Sequence, residues 1–332
     1  MAQISEAGVA HHEQVLAQLV RSREDLILNG WTDRRIAAAV RSGALFHIRR
    51  GWYIDADERS ALWPEEQHRA HVIAVARDSR GRAVASHSSA AVLWRLPLYR
   101  IRCARVHLTT GRAPRISSAP DVTRHATPID AADTTVIDGI RCTSLARTVF
   151  DLIGTLPLEA AVALADAAEH QMAVRLREWD IEAVASWRRE LSGRLGEARG
   201  MRGIRQARWV FAFTDGRAES PGESVSRLQL RRLGYAPPAL QVPIPGPEGT
   251  TYYVDFGMDD VGAFGEFDGM GKYLDEAMRS GRSIEQVIHD EKRREDWIRG
   301  RTQQRFVRWE SEHIGTANAL GRRLASFGIS PP

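Results

Sequence analysis

A chain of 332 residues exceeds the usual size of one hydrophobic core, so two or three folded units are expected. With 43% hydrophobic and 27% charged residues it falls outside the disordered, collagenous and membrane-spanning classes. The net charge of +4 permits a nucleic-acid partner, but 44 of the 46 basic residues are Arg, a chain-wide skew that makes Arg content alone uninformative. No run approaches the ~20 apolar residues of a bilayer span, and Met1 to Glu6 lacks a signal-peptide profile, so a cytoplasmic protein with no membrane partner is expected.

Val15, Leu16, Leu19 and Val20 recur at helical spacing and predict a first helix closing near Arg21. Ser22 can cap a second helix that carries Leu26 and Ile27 and stops at Gly30. Thr32 caps a third, with Ile36 and Val40 inward and Gly43 as its stop. Its other face shows Arg34, Ala38 and Arg41, with Arg35 alongside. Leu45 to Arg49 and Trp52 to Ile54 then alternate around Arg50-Gly51, which reads as a hairpin with a basic turn. Helix, helix, basic helix, basic hairpin is the winged helix-turn-helix plan. It predicts residues 1–57 as a unit binding double-stranded DNA, with Arg34, Arg35, Arg41, Arg49 and Arg50 touching base edges or phosphates. From Trp31 to Trp52 five Arg stand against one acid, so this charge is local.

Residues 58–190 read as an α+β unit. Val72 to Ala76, Val106 to Thr109 and Ile140 to Cys142 are expected strands, Ser88 to Arg95 a helix, and Leu158 to Met172 an Ala-rich amphipathic helix packing into a core. His68 and His71 have the spacing of two ligands on one helix face but no third ligand nearby, so packed or solvated histidines are expected. Cys103 and Cys142 read as small core residues.

The patches R-R-G-W-Y (Arg49 to Tyr53), S-H-S-S-A-A (Ser86 to Ala91) and T-S-L-A-R-T-V-F-D-L (Thr143 to Leu152) occur in this order. Over roughly Ser22 to Gln171 they resemble the AbiEi antitoxin family. That resemblance implies an antitoxin of a type IV toxin–antitoxin system, acting as an autorepressor at inverted or direct repeats in its own promoter. It also implies a nucleotidyltransferase-like toxin as partner, and operator repeats would suit a homodimer.

Residues 191–332 carry a carboxylate pattern. Glu219 and Glu223 open a helix running to Leu233; Tyr252 to Phe256 reads as a strand with Asp255, and Ala263 to Asp268 as a second strand with Glu266 and Asp268 on one face. Brought together, Glu223, Asp255, Glu266 and Asp268 would repel unless a divalent cation or a lysine neutralises them. The order, with E-S-P-G-E-S, Y-V-D-F, G-E-F-D-G and E-K-R-R-E-D as landmarks, resembles very-short-patch-repair-type domains of the PD-(D/E)xK nuclease superfamily. By that resemblance Asp255 and Glu266 would hold Mg²⁺ and Glu223 would assist. The superfamily's Lys position is occupied by Asp268, which makes Lys272 and Lys292 candidates for a displaced ammonium group, Lys272 first. The expected architecture is therefore α+β multidomain: a winged helix, a central AbiEi-like α+β unit and an α/β restriction-endonuclease-like unit. A regulator with a degenerate nuclease-like tail stands ahead of a Mg²⁺-dependent endonuclease delivered by the winged helix.

Overall fold

In the computed structural model, which describes residues 16–79, 83–111, 119–175, 178–269 and 283–331, the N-terminal elements form where their caps place them. Residues 16–19 are helical and lead into β1 (Arg21–Ser22). Helix α1 (Arg23–Leu28) starts at Ser22, whose hydroxyl accepts from the Asp25 amide while the Asp25 carboxylate accepts from the Ser22 amide, a closed capping box. Helix α2 (Asp33–Ser42) starts at Thr32 and ends at Gly43, which takes the left-handed φ of 78°. Strands β2 (Leu45–Arg49) and β3 (Trp52–Asp55) make the hairpin, and β1 adds to its other side in the order β1-β3-β2. Leu26, Ile36 and Leu45 form the small core that α1, α2 and the hairpin share.

Next come α3 (Ala56–Ser60), α4 (Pro64–Asp78), β4 (Val84–Ala85) and α5 (His87–Leu93). They are followed by β5 (Val106–Thr109), β6 (Val122–His125), β7 (Thr134–Ile137), β8 (Ile140–Thr143) and α6 (Leu145–Ile153). The strands form one mixed sheet in the order β6-β5-β4-β8-β7. The strand expected over Val72 to Ala76 is instead the middle of α4. Pro64 at the first helical position and Glu66, which accepts from the Trp63 amide, start a helix before the β-branched run begins. Its residues Val72 to Val75 are all buried, so the run shows no polar face from which a helical period could be read. The strands over Val106 to Thr109 and Ile140 to Cys142 and the helix near Ser88 lie where expected, within a residue or two.

The C-terminal sheet contains β11 (Ala239–Pro245), β12 (Thr251–Met258), β13 (Ala263–Asp268) and β14 (Arg305–Glu310), in that order; β9 (Val174–Arg175) and β10 (Glu178–Trp179) are a separate short pair. The first two ladders are antiparallel, and β13 pairs with β14 in parallel, with Glu266 beside Arg308. Preceding this sheet are α7 (Leu158–Ala173), α8 (Ile181–Glu197), α9 (Ile204–Phe213) and α10 (Pro221–Leu233), while α11 (Ile284–Thr302) crosses over between β13 and β14 and α12 (Ala317–Ala325) follows. Helix α10 contacts α7, α12 and β13, and α11 inserts Ile298 into the core of Ile244, Val254, Phe264 and Phe306.

The chain divides into two compact units. One is built on Ile4–Leu156 with Ser186–Arg208, the other on Pro157–Ala185 with Trp209–Pro332. Helix α7 thus leaves the central segment for the C-terminal sheet. Its fully buried Asp166 takes a 2.7 Å ion pair from Arg227 of α10 and accepts the Asp215 amide. A buried carboxylate needs that partner, and α10 supplies it.

One backbone approach fixes β13 against β14. A Cβ on Gly265 would lie 2.2 Å from Cη2 of Trp309, itself fully buried and hydrogen-bonded through Nε1 to Ser226 Oγ at 2.7 Å. Gly265→Ala is expected to cost about 2–3 kcal/mol by overpacking. Urea unfolding measures this, and an unchanged midpoint would contradict the packing described.

Candidate functional site

On α2 the side chains divide by face. Ile36 is buried, while Arg34, Arg35 and Arg41 are exposed. Seven residues separate Arg34 from Arg41, two turns and about 10 Å along one face, with Ala38 between them. Arg50 projects from the hairpin turn beside Gly51, whose φ is 80°. Among the described residues Arg34, Arg41 and Arg50 make no ion pair. Arg35 stacks over the Trp31 ring at 4.1 Å, which spends part of its freedom. Asp33, the one acid in this stretch, is held by Arg23 at 2.8 Å and 2.5 Å, so its repulsion of an incoming anion is offset. Arg49 differs from the other four. Its half-buried guanidinium lies 3.4 Å from Asp78 and 3.4 Å from Asp121, and these pairs fix the hairpin to the body of its unit. Four of the five predicted arginines are therefore exposed, and the fifth is engaged in ion pairs within its unit.

In the C-terminal unit the carboxylates gather as three neighbours in a row. Ser220 caps α10, and Glu223 in its first turn is buried. The Glu223 carboxylate accepts from the Glu219 amide at 2.9 Å, the Ser220 hydroxyl at 2.7 Å and Gln241 Nε2 at 3.3 Å. Burial, and then the Asp255 carboxylate, push Glu223 up to about 8. Asp255 accepts from the Phe267 amide at 2.9 Å and also raises Glu266, so it stands electrostatically between the two glutamates.

Glu266, only 1% exposed, meets Arg294 of α11 at 2.6 Å and Arg308 of β14 at 3.0 Å. Arg308 is shared with Asp268 at 3.4 Å, Glu291 at 2.5 Å and Glu295 at 3.0 Å. Burial pushes Glu266 upward and the two guanidiniums oppose it. Burial likewise lowers Arg308, but Glu266, Glu291 and Asp268 carry it above its ordinary value. Expected as a metal ligand with Asp255, Glu266 instead has guanidiniums where a cation or a lysine was anticipated. Among the described residues no three of these carboxylates bring oxygens close enough together to form a metal cage. Lys272 lies outside the described residues; Lys292 is exposed on α11. Sequence reasoning missed Arg294 and Arg308. Arg294 stands inside the E-K-R-R-E-D landmark, where the i, i+3 and i+4 spacing of Glu291, Arg294 and Glu295 was the available signal.

Glu223 makes a pH-dependent contribution. Its folded value of about 8 exceeds its ordinary 4.5, so the contribution is fully present below 4.5 and is lost as pH rises through about 8. Above that pH the Glu223→Gln variant is expected to exceed the parent in stability by a margin on the order of a few kcal/mol, and the margin should shrink on acidification. Urea unfolding across this range checks it, and parallel profiles for the two proteins would contradict it.

The remaining predicted positions are structural. His68 Nε2 meets Ser89 Oγ at 3.1 Å and His71 Nε2 meets Asp121 at 3.0 Å, so both are packed and partnered. Cys142 is buried, which raises its thiol to about 12.

No family model matches this chain. It is similar to two uncharacterized proteins of Mycobacterium tuberculosis, from strains CDC 1551 / Oshkosh and ATCC 25618 / H37Rv. Each is 34% identical over 116 residues, a stretch that covers 35% of this chain and 43% of the relative. The chain thus spans less than half the length of these relatives. No helix among the described residues is long and apolar enough to cross a membrane.

Proposed function

We propose that this protein is a DNA-binding autorepressor of the AbiEi-like antitoxin kind, reading duplex DNA with an N-terminal winged helix. One observation carries the reading: Arg34 and Arg41 on one side of α2 and Arg50 at the hairpin turn are all exposed, without counter-ions among the described residues. Such a face supplies guanidiniums to phosphates and guanine edges, and the short strand β1 completing the hairpin into three strands fits the winged-helix plan. The partners would be repeats in the protein's own promoter, a second copy of the chain on paired half-sites, and a nucleotidyltransferase-like toxin.

The C-terminal unit is proposed as a PD-(D/E)xK-like fold serving structure. What favours structure over cleavage is the occupation of Glu266 by Arg294 and Arg308, because a Mg²⁺ ion would have to displace guanidiniums already at hydrogen-bond distance. The second reading, a Mg²⁺-dependent endonuclease, draws on the adjacency of Glu223, Asp255 and Glu266. Fluorescence anisotropy with the DNA upstream of the gene tests the first, with binding that weakens steeply with salt expected. Incubation with plasmid and Mg²⁺ or Mn²⁺ tests the second. Retention of upstream DNA without nicking is the expected result; nicking lost in Glu266→Ala would reverse the order of the two readings.

A further inference from the structure

Three imidazoles meet on the central sheet. His107 lies on β5 and His125 on β6, in a parallel ladder that sets His125 beside Thr109, two residues along the same strand from His107. His87 opens α5, which contacts β5. One donor nitrogen from each ring lies within 4.8 Å of the others. His107 Nδ1 and His125 Nε2 are 3.0 Å apart, and the His87 ring stacks on His125 with centroids 3.8 Å apart. We infer that His87, His107 and His125 form a binding site for a divalent transition-metal ion of the zinc class, with three imidazole nitrogens as ligands and a fourth position for water or an anion.

The geometry suits such an ion. Two nitrogens at zinc-bond length and tetrahedral angle stand about 3.3–3.4 Å apart, so the His107–His125 pair needs to open by only a few tenths of an ångström. His87 Nδ1 faces Ser86 Oγ at 3.1 Å, which leaves Nε2 for the metal and supplies the outer hydrogen bond that ligating histidines carry. Ligation requires the His87 ring to turn out of its stack. That is a rotation about a broad torsion, at a residue whose backbone is held at a φ of 51°. The Ser89 hydroxyl accepts from the His107 amide at 2.8 Å and keeps β5 in place beneath α5.

Burial lowers all three imidazoles, and metal entry requires a tautomer shift that clears the proton shared between His107 Nδ1 and His125 Nε2. Of the cations, Arg147, held by Asp133 and Asp151 at 2.9 Å each, acts on His87, and Arg105 acts on His107. An all-nitrogen set selects Zn²⁺, Co²⁺, Ni²⁺ or Cu²⁺ over Mg²⁺, which prefers oxygen. The site is therefore separate in chemistry from any Mg²⁺ centre at Glu266, and it does not rest on the DNA-binding reading.

The test uses the untagged full chain, stripped with chelator and titrated with Zn²⁺ by calorimetry and with Co²⁺ by visible absorption. The expected result is one equivalent of Zn²⁺ per chain and a tetrahedral cobalt spectrum, both lost in His107→Gln and in His125→Gln and both kept in His313→Gln. Absence of a cobalt spectrum in the folded parent chain, or one equivalent retained by both sheet variants, overturns the inference. Circular dichroism on each variant separates loss of ligation from loss of fold, and the parent titration decides the matter even where a variant unfolds.

Discussion

Replacing Glu266 by Gln is expected to destabilise the protein by about 3–5 kcal/mol, one of the two largest effects anticipated for any single site or pair described. The reason is what stays behind. Arg294 and Arg308 converge on one carboxylate that is 1% exposed, at 2.6 Å and 3.0 Å. A neutral amide leaves two guanidiniums close together with weaker acceptors and half-buried surroundings. Glu291 still pairs with both, at 2.9 Å and 2.5 Å, and Glu295 with Arg308, so the loss falls short of a fully orphaned charge. A triple change that removes the guanidiniums as well, Glu266→Leu with Arg294→Leu and Arg308→Leu, should recover only part of the deficit, because the apolar cluster needs no counter-ion while Glu291, Glu295 and Asp268 lose theirs. Chemical denaturation of the single and triple variants measures both. A Glu266→Gln protein as stable as its parent would mean that the arginines are not dependent on this carboxylate, and would reopen Glu266 as a ligand for a divalent cation.

How far the sequence could be read follows from how local each feature is. The caps Ser22 and Thr32, the left-handed stop at Gly43 and the turn at Arg50-Gly51 are settled within four residues, and each element they bound formed as expected. The order of α10, β12 and β13 was legible for the same reason, since Ser220 and Pro221 start the helix and alternation marks the strands. The segment Val72 to Val75 was misread because a helix buried on every side carries no period. Charge partnering was out of reach. Arg308 meets Glu266 only because β13 and β14 run parallel after a helical crossover, and Arg49 meets Asp78 and Asp121 from strand and helix distant in sequence. The histidine trio was equally hidden, since residues 87, 107 and 125 lie on three separate elements and meet only once β5 pairs with β6 and α5 packs on β5.

Under the proposed DNA-binding function, Arg34→Ala combined with Arg41→Ala is expected to weaken retention of upstream DNA by about 2–4 kcal/mol, roughly 30- to 800-fold, with folding intact. Both side chains are exposed and make no ion pair among the described residues, so their removal leaves no buried partner unsatisfied. Ile36 and the core it shares with Leu26 and Leu45 are untouched. Where these arginines bind phosphate, the slope of log affinity against log salt should fall by about 0.9 for each; where they read guanine, discrimination between operator and unrelated DNA should narrow instead. Arg35→Ala should have the smaller effect, because its guanidinium is already stacked 4.1 Å above Trp31. Arg49→Ala should act through stability, since it strips Asp78 and Asp121 of a shared cation. Arg231→Ala, on the exposed side of α10, serves as the control for net charge alone. Equal losses for Arg231→Ala and for the α2 pair would mean that the protein senses DNA through its overall charge, and α2 would no longer be the reading element.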